Sequence, residues 1–214
     1  MDYTSLIAAK GAPGSIANWI NFSDALLPLS DVLYEAQALI YDSLRVRYMR
    51  TVATLAVVEG SATAELPAGL FDIVAVWDDD NAKLAAYDAA SLQTERGVDT
   101  ATADYQVGKP SIYSLFGEKV QFDCIADAAY SYKIMAFCQP EFLSEATPSN
   151  FLTTRWPTLL RTACLAIAAD WTNDDARYQK FVARMQPLIQ QANASDDRAL
   201  LGMISPADYS RSRF

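Results

Sequence analysis

Three consecutive carboxylates, Asp78, Asp79 and Asp80, form the densest group of candidate metal ligands in the sequence. Oxygen ligands of this kind suit Ca²⁺ or Mg²⁺. The calcium loop of an EF-hand, however, needs glycine at its sixth position and glutamate at its twelfth, and Lys83 and Ala89 stand there instead. Aspartates are also common in polar turns between strands. We therefore predict a solvated hairpin turn, and we expect neither a metal nor another cofactor.

The absence of histidine removes several classes of catalysis from consideration. Ser-His-Asp and Cys-His catalysis, histidine-ligated zinc and a histidine pH switch all require this residue. The sequence also lacks the GxGxxG, Walker A, GxSxG and HExxH motifs. Cys124, Cys138 and Cys164 form no CxxC pair, so we expect reduced thiols in a cytoplasm rather than a disulfide framework or a zinc site. These patterns favour a protein that is not an enzyme.

Acidic residues are concentrated in the middle of the chain. The 214 residues carry a formal net charge of −9. Residues 51–150 contain 5 Lys and Arg against 15 Asp and Glu, whereas residues 151–214 contain 8 against 6. An acidic surface repels nucleic-acid phosphate, so we expect no DNA- or RNA-binding groove in the middle part. A simpler interpretation, that the charge serves only solubility, stays open.

The last residues combine arginine with aromatic side chains. Tyr209, Arg211, Arg213 and Phe214 belong to the residue types that anchor protein interfaces. We expect either a disordered tail or a peptide that docks into a partner. Other aromatic residues alternate along predicted strands or follow helix stripes, which is typical of a core. These are Tyr113, Phe116, Phe122, Tyr130, Tyr132, Phe137, Trp156 and Trp171.

Helical periodicity marks both ends of the chain, and period-two alternation marks the middle. A helix is predicted from about Ser30, which can act as its N-cap, to Tyr48. Residues 51–140 predict five to seven short strands. Pro157 suits the first position of a later helix, and Pro187 should kink the last helix unless that helix ends there.

The sequence therefore predicts an α+β fold, a helical bundle from the N- and C-terminal helices with an inserted antiparallel β-rich module. We assign residues 1–50 to the N-terminal helices and residues 51–148 to the β-rich module. Residues 149–202 complete the bundle, and residues 203–214 form an extended tail. The N-terminus lacks the regions of a signal peptide, and no apolar run is long enough to cross a membrane, so we expect no membrane contact.

Four short segments resemble one family in their order and spacing. The resemblance is to head-to-tail adaptor (connector) proteins of short-tailed bacteriophages, and its pieces are spread over roughly residues 15–200. They comprise the close of the long first helix, an early hairpin, the entry into a strand and the start of the C-terminal helices. In this chain they are Leu44–Met49, Glu65–Pro67 with Phe71–Ile73, Gly108–Tyr113 and Asn150–Pro157.

The resemblance implies a structural virion protein located in the neck between capsid and tail and made in the host cytoplasm. It implies a homo-oligomeric ring of twelve subunits that attaches to the portal protein and extends the DNA channel, serving DNA ejection. It also implies docking of tail or nozzle proteins and tail fibres, while genomic DNA passes without specific binding. We expect Tyr209, Arg211, Arg213 and Phe214 to contact the portal, and Asp78, Asp79 and Asp80 to face the channel.

Two alternatives remain at this point. The chain could be another neck protein, such as a tail terminator or a head-completion protein. It could also be a glycan-active enzyme that uses an Asp/Glu pair, although no motif selects such a pair.

Overall fold

The computed structural model describes residues 1–22, 26–96 and 106–201. Their contacts divide the chain into two compact units, with Met1–Tyr48 and Pro140–Phe214 in the first and Met49–Gln139 in the second. The chain passes from one unit to the other between Tyr48 and Met49 and between Gln139 and Pro140. The sequence instead predicted the limits of the β-rich module at residues 51 and 148. Tyr209, Arg211, Arg213 and Phe214 lie outside the described residues.

The first unit is helical in its described part. A 3₁₀ turn at Arg47–Met49 spans the limit between the units. The α-helices of the first unit are α1 (Tyr3–Leu6), α2 (Ile16–Ile20), α3 (Leu29–Ser43), α5 (Phe151–Arg155), α6 (Pro157–Trp171) and α7 (Asp175–Leu201). The helix α4 (Ala89–Arg96) belongs to the second unit.

Helix α6 is the centre of the first unit, because α2, α3, α5 and α7 all pack against it. Its sequence is apolar on nearly every side, as expected for a helix surrounded by others. Pro157 stands at its start, where the missing N–H costs nothing. Trp171 at its other end is 47% exposed, so the prediction that this residue is core is wrong. The buried residues are Leu159, Leu160, Thr162, Ala163, Cys164, Leu165, Ala166, Ala168 and Ala169.

The long first helix ends five residues earlier than its periodicity predicts. Leu44 is already extended, and the N–H of Arg45 donates to Oδ1 of Asn193 on α7 at 2.9 Å. The Asn193 side chain also donates to the carbonyl of Ser43 at 3.3 Å. A residue 150 positions away thus satisfies backbone groups at this helix end, which local periodicity could not indicate. Helix α7 continues past Pro187.

The second unit contains nine strands and three sheets in its described part. β1, β9 and β3 form an antiparallel sheet in that order, and β2, β7, β6 and β4 form a second sheet. A two-stranded sheet pairs β5 with β8. The strands are β1 (Arg50–Val57), β2 (Thr63–Glu65), β3 (Leu70–Trp77), β4 (Ala85–Ala86), β5 (Val107–Gly108), β6 (Ile112–Phe116), β7 (Lys119–Phe122), β8 (Ile125–Ala126) and β9 (Tyr130–Cys138).

The sheets share one apolar core within this unit. Tyr132 and Phe122 are fully buried at its centre, with their rings stacked at 5.5 Å. Two short strand pairs, β4 with β6 and β5 with β8, are parallel, which the predicted antiparallel alternation did not indicate. The α+β fold class is confirmed. In the described residues, no helix is both long enough and apolar enough to cross a membrane.

Candidate functional site

The three aspartates occupy a tight turn directly after β3. The N–H of Asp78 donates to the carbonyl of Ala82 at 2.9 Å, and Oδ1 of Asp78 accepts from the N–H of Ala82 at 2.7 Å. Asn81 has a φ of +62°, a left-handed conformation that asparagine tolerates well. Beyond the turn, Lys83 pairs with Trp77. The local polar sequence therefore forms a turn that holds three carboxylates side by side.

A lysine that sequence analysis missed lies between these carboxylates. The Nζ atom of Lys109 is 2.9 Å from Asp78, 2.8 Å from Asp79 and 3.0 Å from Asp80. One ammonium therefore meets three carboxylates, and the group keeps an excess of negative charge. The sequence does not indicate this contact, because Lys109 is some 30 residues away from the aspartates and the fold brings it to the turn. We call Asp78, Asp79, Asp80 and Lys109 the acidic cluster.

Ion pairing shifts the pKa values of Asp78, Asp79 and Lys109 in the directions that favour their charged forms. The hydrogen bond from Lys109 lowers the pKa of Asp78 and that of Asp79 below their ordinary value. The same bonds raise the pKa of Lys109. Asp78, Asp79 and Lys109 are therefore charged at neutral pH and can act through their charge rather than by proton transfer. The side chains of Asp79 and Asp80 are 64% and 81% exposed, so this charge faces solvent.

A second candidate surface lies on the helical unit. The guanidinium groups of Arg47 and Arg155 lie 5.2 and 5.7 Å from the ring centre of Tyr48. That ring stacks on Phe151 at 5.9 Å and meets Trp156 edge-on at 6.0 Å. Tyr48 is 40% exposed although it contacts all four residues. We call these five residues the Arg–aromatic surface, and their types match those enriched at the energetic centres of protein interfaces.

A groove borders the Arg–aromatic surface on the helical unit. It has a volume of about 370 Å³ and lies between the start of α6 and the middle of α7. Arg155, Trp156 and Leu159 line one side, and Leu188 and Gln191 line the other. Its mixed polar and apolar lining is suited to a peptide side chain as much as to a small molecule.

A buried polar junction, formed by hydrogen bonds, holds the segment of residues 143–150 against α3. Gln37 is fully buried, and its Oε1 accepts from the N–H of Leu143 at 2.8 Å. Asn150 donates from Nδ2 to the hydroxyl of Tyr41 at 3.0 Å, while its Oδ1 caps α5. Burial raises the pKa of Tyr41, which keeps this hydroxyl neutral. The junction fixes the segment that leads into Phe151 of the Arg–aromatic surface.

The structure brings together some predicted residues and separates others. Asp78, Asp79 and Asp80 form one cluster, as their adjacency requires. Most of the strand aromatics are buried or half-buried, as predicted for a core, but Phe116 is 59% exposed at a hairpin tip. The Arg–aromatic surface was missed, although the dipeptides Arg47-Tyr48 and Arg155-Trp156 were a visible signal of it.

The family model described as SU10 adaptor protein matches residues 1–207. A search of curated proteins finds no match. SU10 is a short-tailed phage type, and adaptors of such phages are structural proteins of the virion neck that associate with portal and tail components. The resemblance to head-to-tail adaptors is thus confirmed, and the chain belongs to the SU10 adaptor protein family.

Proposed function

We propose that this protein forms a ring of twelve copies that attaches to the portal, extends the DNA channel and docks tail components. The observation that carries the proposal is the adaptor-family match over residues 1–207. A ring subunit needs distinct surfaces for its neighbours, the portal and the tail. The exposed acidic cluster on one unit and the Arg–aromatic surface on the other are consistent with this requirement. The tail partners comprise nozzle proteins and tail fibres.

Within this proposal, Asp78, Asp79 and Asp80 face the channel. DNA must slide through without being held, and a wall with excess negative charge repels phosphate at short range. Lys109 offsets only part of the charge of the three carboxylates, and Asp79 and Asp80 stay exposed. At physiological salt this repulsion acts within about 8 Å, so it disfavours contact between DNA phosphates and the channel wall without blocking passage.

The channel role is tested by reversing charge at Asp79 and Asp80. Asp78 is left intact, because its side chain holds the turn through Ala82. The variant Asp79→Lys with Asp80→Lys should slow DNA ejection from assembled particles. Glu118→Lys is the matched control, since Glu118 is exposed in the same unit but outside the cluster. Equal ejection rates for both variants would contradict the channel placement.

Portal attachment is assigned to the C-terminal segment with Tyr209, Arg211, Arg213 and Phe214. Arginine and aromatic side chains supply much of the binding energy at interfaces, and this segment combines both. Replacing Arg211 and Arg213 by alanine should weaken attachment while the subunit stays folded. Ser210→Ala with Ser212→Ala serves as the control in the same segment.

The decisive experiment mixes the purified protein with the portal of the same phage and images the product by negative-stain electron microscopy. A twelvefold ring coaxial with the portal is the expected result. A stable monomer that never associates with the portal would refute the proposed function. Partner proteins of the tail are then added to the portal–ring complex to test docking on the opposite face.

A further inference from the structure

Three segments of the second unit that are distant in sequence lie side by side. The N–H of Gly60, in the turn after β1, donates to the carbonyl of Ala126 in β8 at 2.8 Å. On the other side of β8, the N–H of Ile125 donates to the carbonyl of Gln106 next to β5 at 2.9 Å. Neighbouring strands lie about 4.8 Å apart, so the outer two segments are about 10 Å apart. The three segments are residues 58–62, 106–108 and 125–129.

The exposed side chains of these segments are mainly aliphatic or acidic. Val58 and Val107 are 68% and 66% exposed. Glu59 is exposed and forms no ion pair in the described part of the chain. Asp127 is exposed and accepts a hydrogen bond from the Tyr130 hydroxyl at 2.6 Å. None of the three segments contains lysine or arginine. We call Val58, Glu59, Val107 and Asp127 the Val–acid surface.

The charge of the second unit determines which kind of surface can cover the Val–acid surface. Residues 49–139, which form this unit, contain 6 Lys and Arg against 13 Asp and Glu. The second unit of another copy would therefore repel the Val–acid surface. Covering aliphatic side chains that are two-thirds exposed is favourable because it removes apolar area from water. A suitable partner surface is thus one that combines positive charge with an apolar recess.

The Arg–aromatic surface and its groove on the first unit have this combination. Arg155 is exposed at the rim of the groove and forms no ion pair in the described part of the chain. Two guanidinium groups converge on the Tyr48 ring, so positive charge is concentrated here. Trp156, Leu159 and Leu188 give the groove an apolar part. An aliphatic side chain next to a carboxylate matches such a groove with an arginine at its rim.

We propose that the Val–acid surface of one copy of this chain docks on the Arg–aromatic surface of the neighbouring copy, with Val58 in the groove and Glu59 facing Arg155. The inference rests on the proposed ring and names the contact between its subunits. The two surfaces differ, so the contact is head-to-tail, which is the kind that closes into a ring. Like charges oppose the pairing of either surface with itself, which favours this one arrangement.

Charge exchange between copies tests this contact. In a ring made only of Glu59→Arg, or only of Arg155→Glu, every contact would oppose like charges. Each variant alone should therefore give about tenfold fewer rings on the portal than the unaltered protein, counted by negative-stain electron microscopy. An equal mixture of both variants should restore the rings, because alternating copies place opposite charges at every contact. A ring of twelve copies can close with this alternation.

Matched variants control for effects other than the contact. Glu118→Arg makes the same change at an exposed turn of the same unit, outside the Val–acid surface, and should assemble like the unaltered protein. Far-ultraviolet circular dichroism checks that each variant is folded. Thr158→Glu, at an exposed position on the groove wall, takes the place of Arg155→Glu if that variant unfolds. Val58→Ser, which keeps all charges, should also lower the number of rings.

The outcomes separate this contact from the proposed function. Rings from folded Glu59→Arg alone in the numbers given by the unaltered protein would overturn the contact. A mixture that assembles no better than its folded components would overturn it as well. Both results would leave the ring function in place, because the unaltered protein still forms rings. Absence of rings from the unaltered protein would instead refute the proposed function, and this contact with it.

Discussion

Replacing Asn150 by alanine should destabilise the helical unit by about 2 kcal/mol. The side chain caps α5, since its Oδ1 accepts from the N–H groups of Leu152 and Thr153 at 3.0 and 3.3 Å. Loss of such a cap costs about 1 kcal/mol. The same side chain donates to the Tyr41 hydroxyl at 3.0 Å, and Tyr41 is only 3% exposed. Loss of that bond costs about another 1 kcal/mol, because a buried hydroxyl is left without its partner.

The hydrogen bond to Tyr41 is separated from the cap by further variants. Asn150→Asp keeps an oxygen acceptor for the cap, and its carboxylate can accept from the Tyr41 O–H where the amide donated, so this change should cost less than Asn150→Ala. Tyr41→Phe measures the other side of the bond. In the Asn150→Ala background this change should cost about 1 kcal/mol less than in the native chain, since the hydroxyl is already unpaired there.

Stability is measured by urea denaturation followed by far-ultraviolet circular dichroism, which reports mainly on helices. A drop of about 2 kcal/mol corresponds to a fall in Tm of about 4–8 °C for a chain of this size. Additive effects of Asn150→Ala and Tyr41→Phe would refute the assigned hydrogen bond. An unchanged stability of Asn150→Ala would refute the cap as well.

Two further predictions concern the β-rich unit. Because the pKa values of Asp78 and Asp79 are lowered, their stabilising effect should be lost as the pH falls below the ordinary value of 3.8; because the pKa of Lys109 is raised, its effect should be lost as the pH rises above 10.5. Thermal melts across this range should show both losses, and both should be smaller in Lys109→Gln, in which the backbone hydrogen bonds to Asp78 and Asp79 and the shifted groups elsewhere in the chain remain. Phe122→Ala should cost about 3–5 kcal/mol because Phe122 is fully buried, whereas Phe116→Ala should change stability by less than about 0.5 kcal/mol. Urea denaturation of both variants checks this, and equal costs would contradict the assigned core.

Local sequence determined those elements whose stabilising contacts are close in the chain. Ser15 and Asn150 cap their helices as oxygen side chains before a helical run are expected to do. Pro157 begins α6, and the Asp78–Asp80 run forms a turn. The change from helical to alternating periodicity also placed the β-rich segment between helical segments, and the α+β class was therefore predictable.

Contacts between residues far apart in the chain could not be predicted from the sequence. Helix α3 ends five residues before the periodicity of its sequence predicts, because the side chain of Asn193 forms hydrogen bonds with the Ser43 carbonyl and the Arg45 N–H. The parallel pairs β4 with β6 and β5 with β8 depend on how separate segments return to one sheet. A period-two pattern is the same in parallel and antiparallel strands, so it carries no information on direction.

Some features of the candidate sites likewise followed from the sequence, and others depended on the tertiary structure. The sequence alone determined the three adjacent aspartates, the arginine and aromatic residue types, and the lack of histidine chemistry. Only the tertiary structure decided that Lys109 enters the aspartate turn and that Arg47 and Arg155 meet on one tyrosine ring. It also decided that, among the described residues, β1 pairs with β9 and with no other strand. The physical reason is that residue type is a local property, whereas the charge, partner and exposure of a side chain depend on which distant segments pack around it.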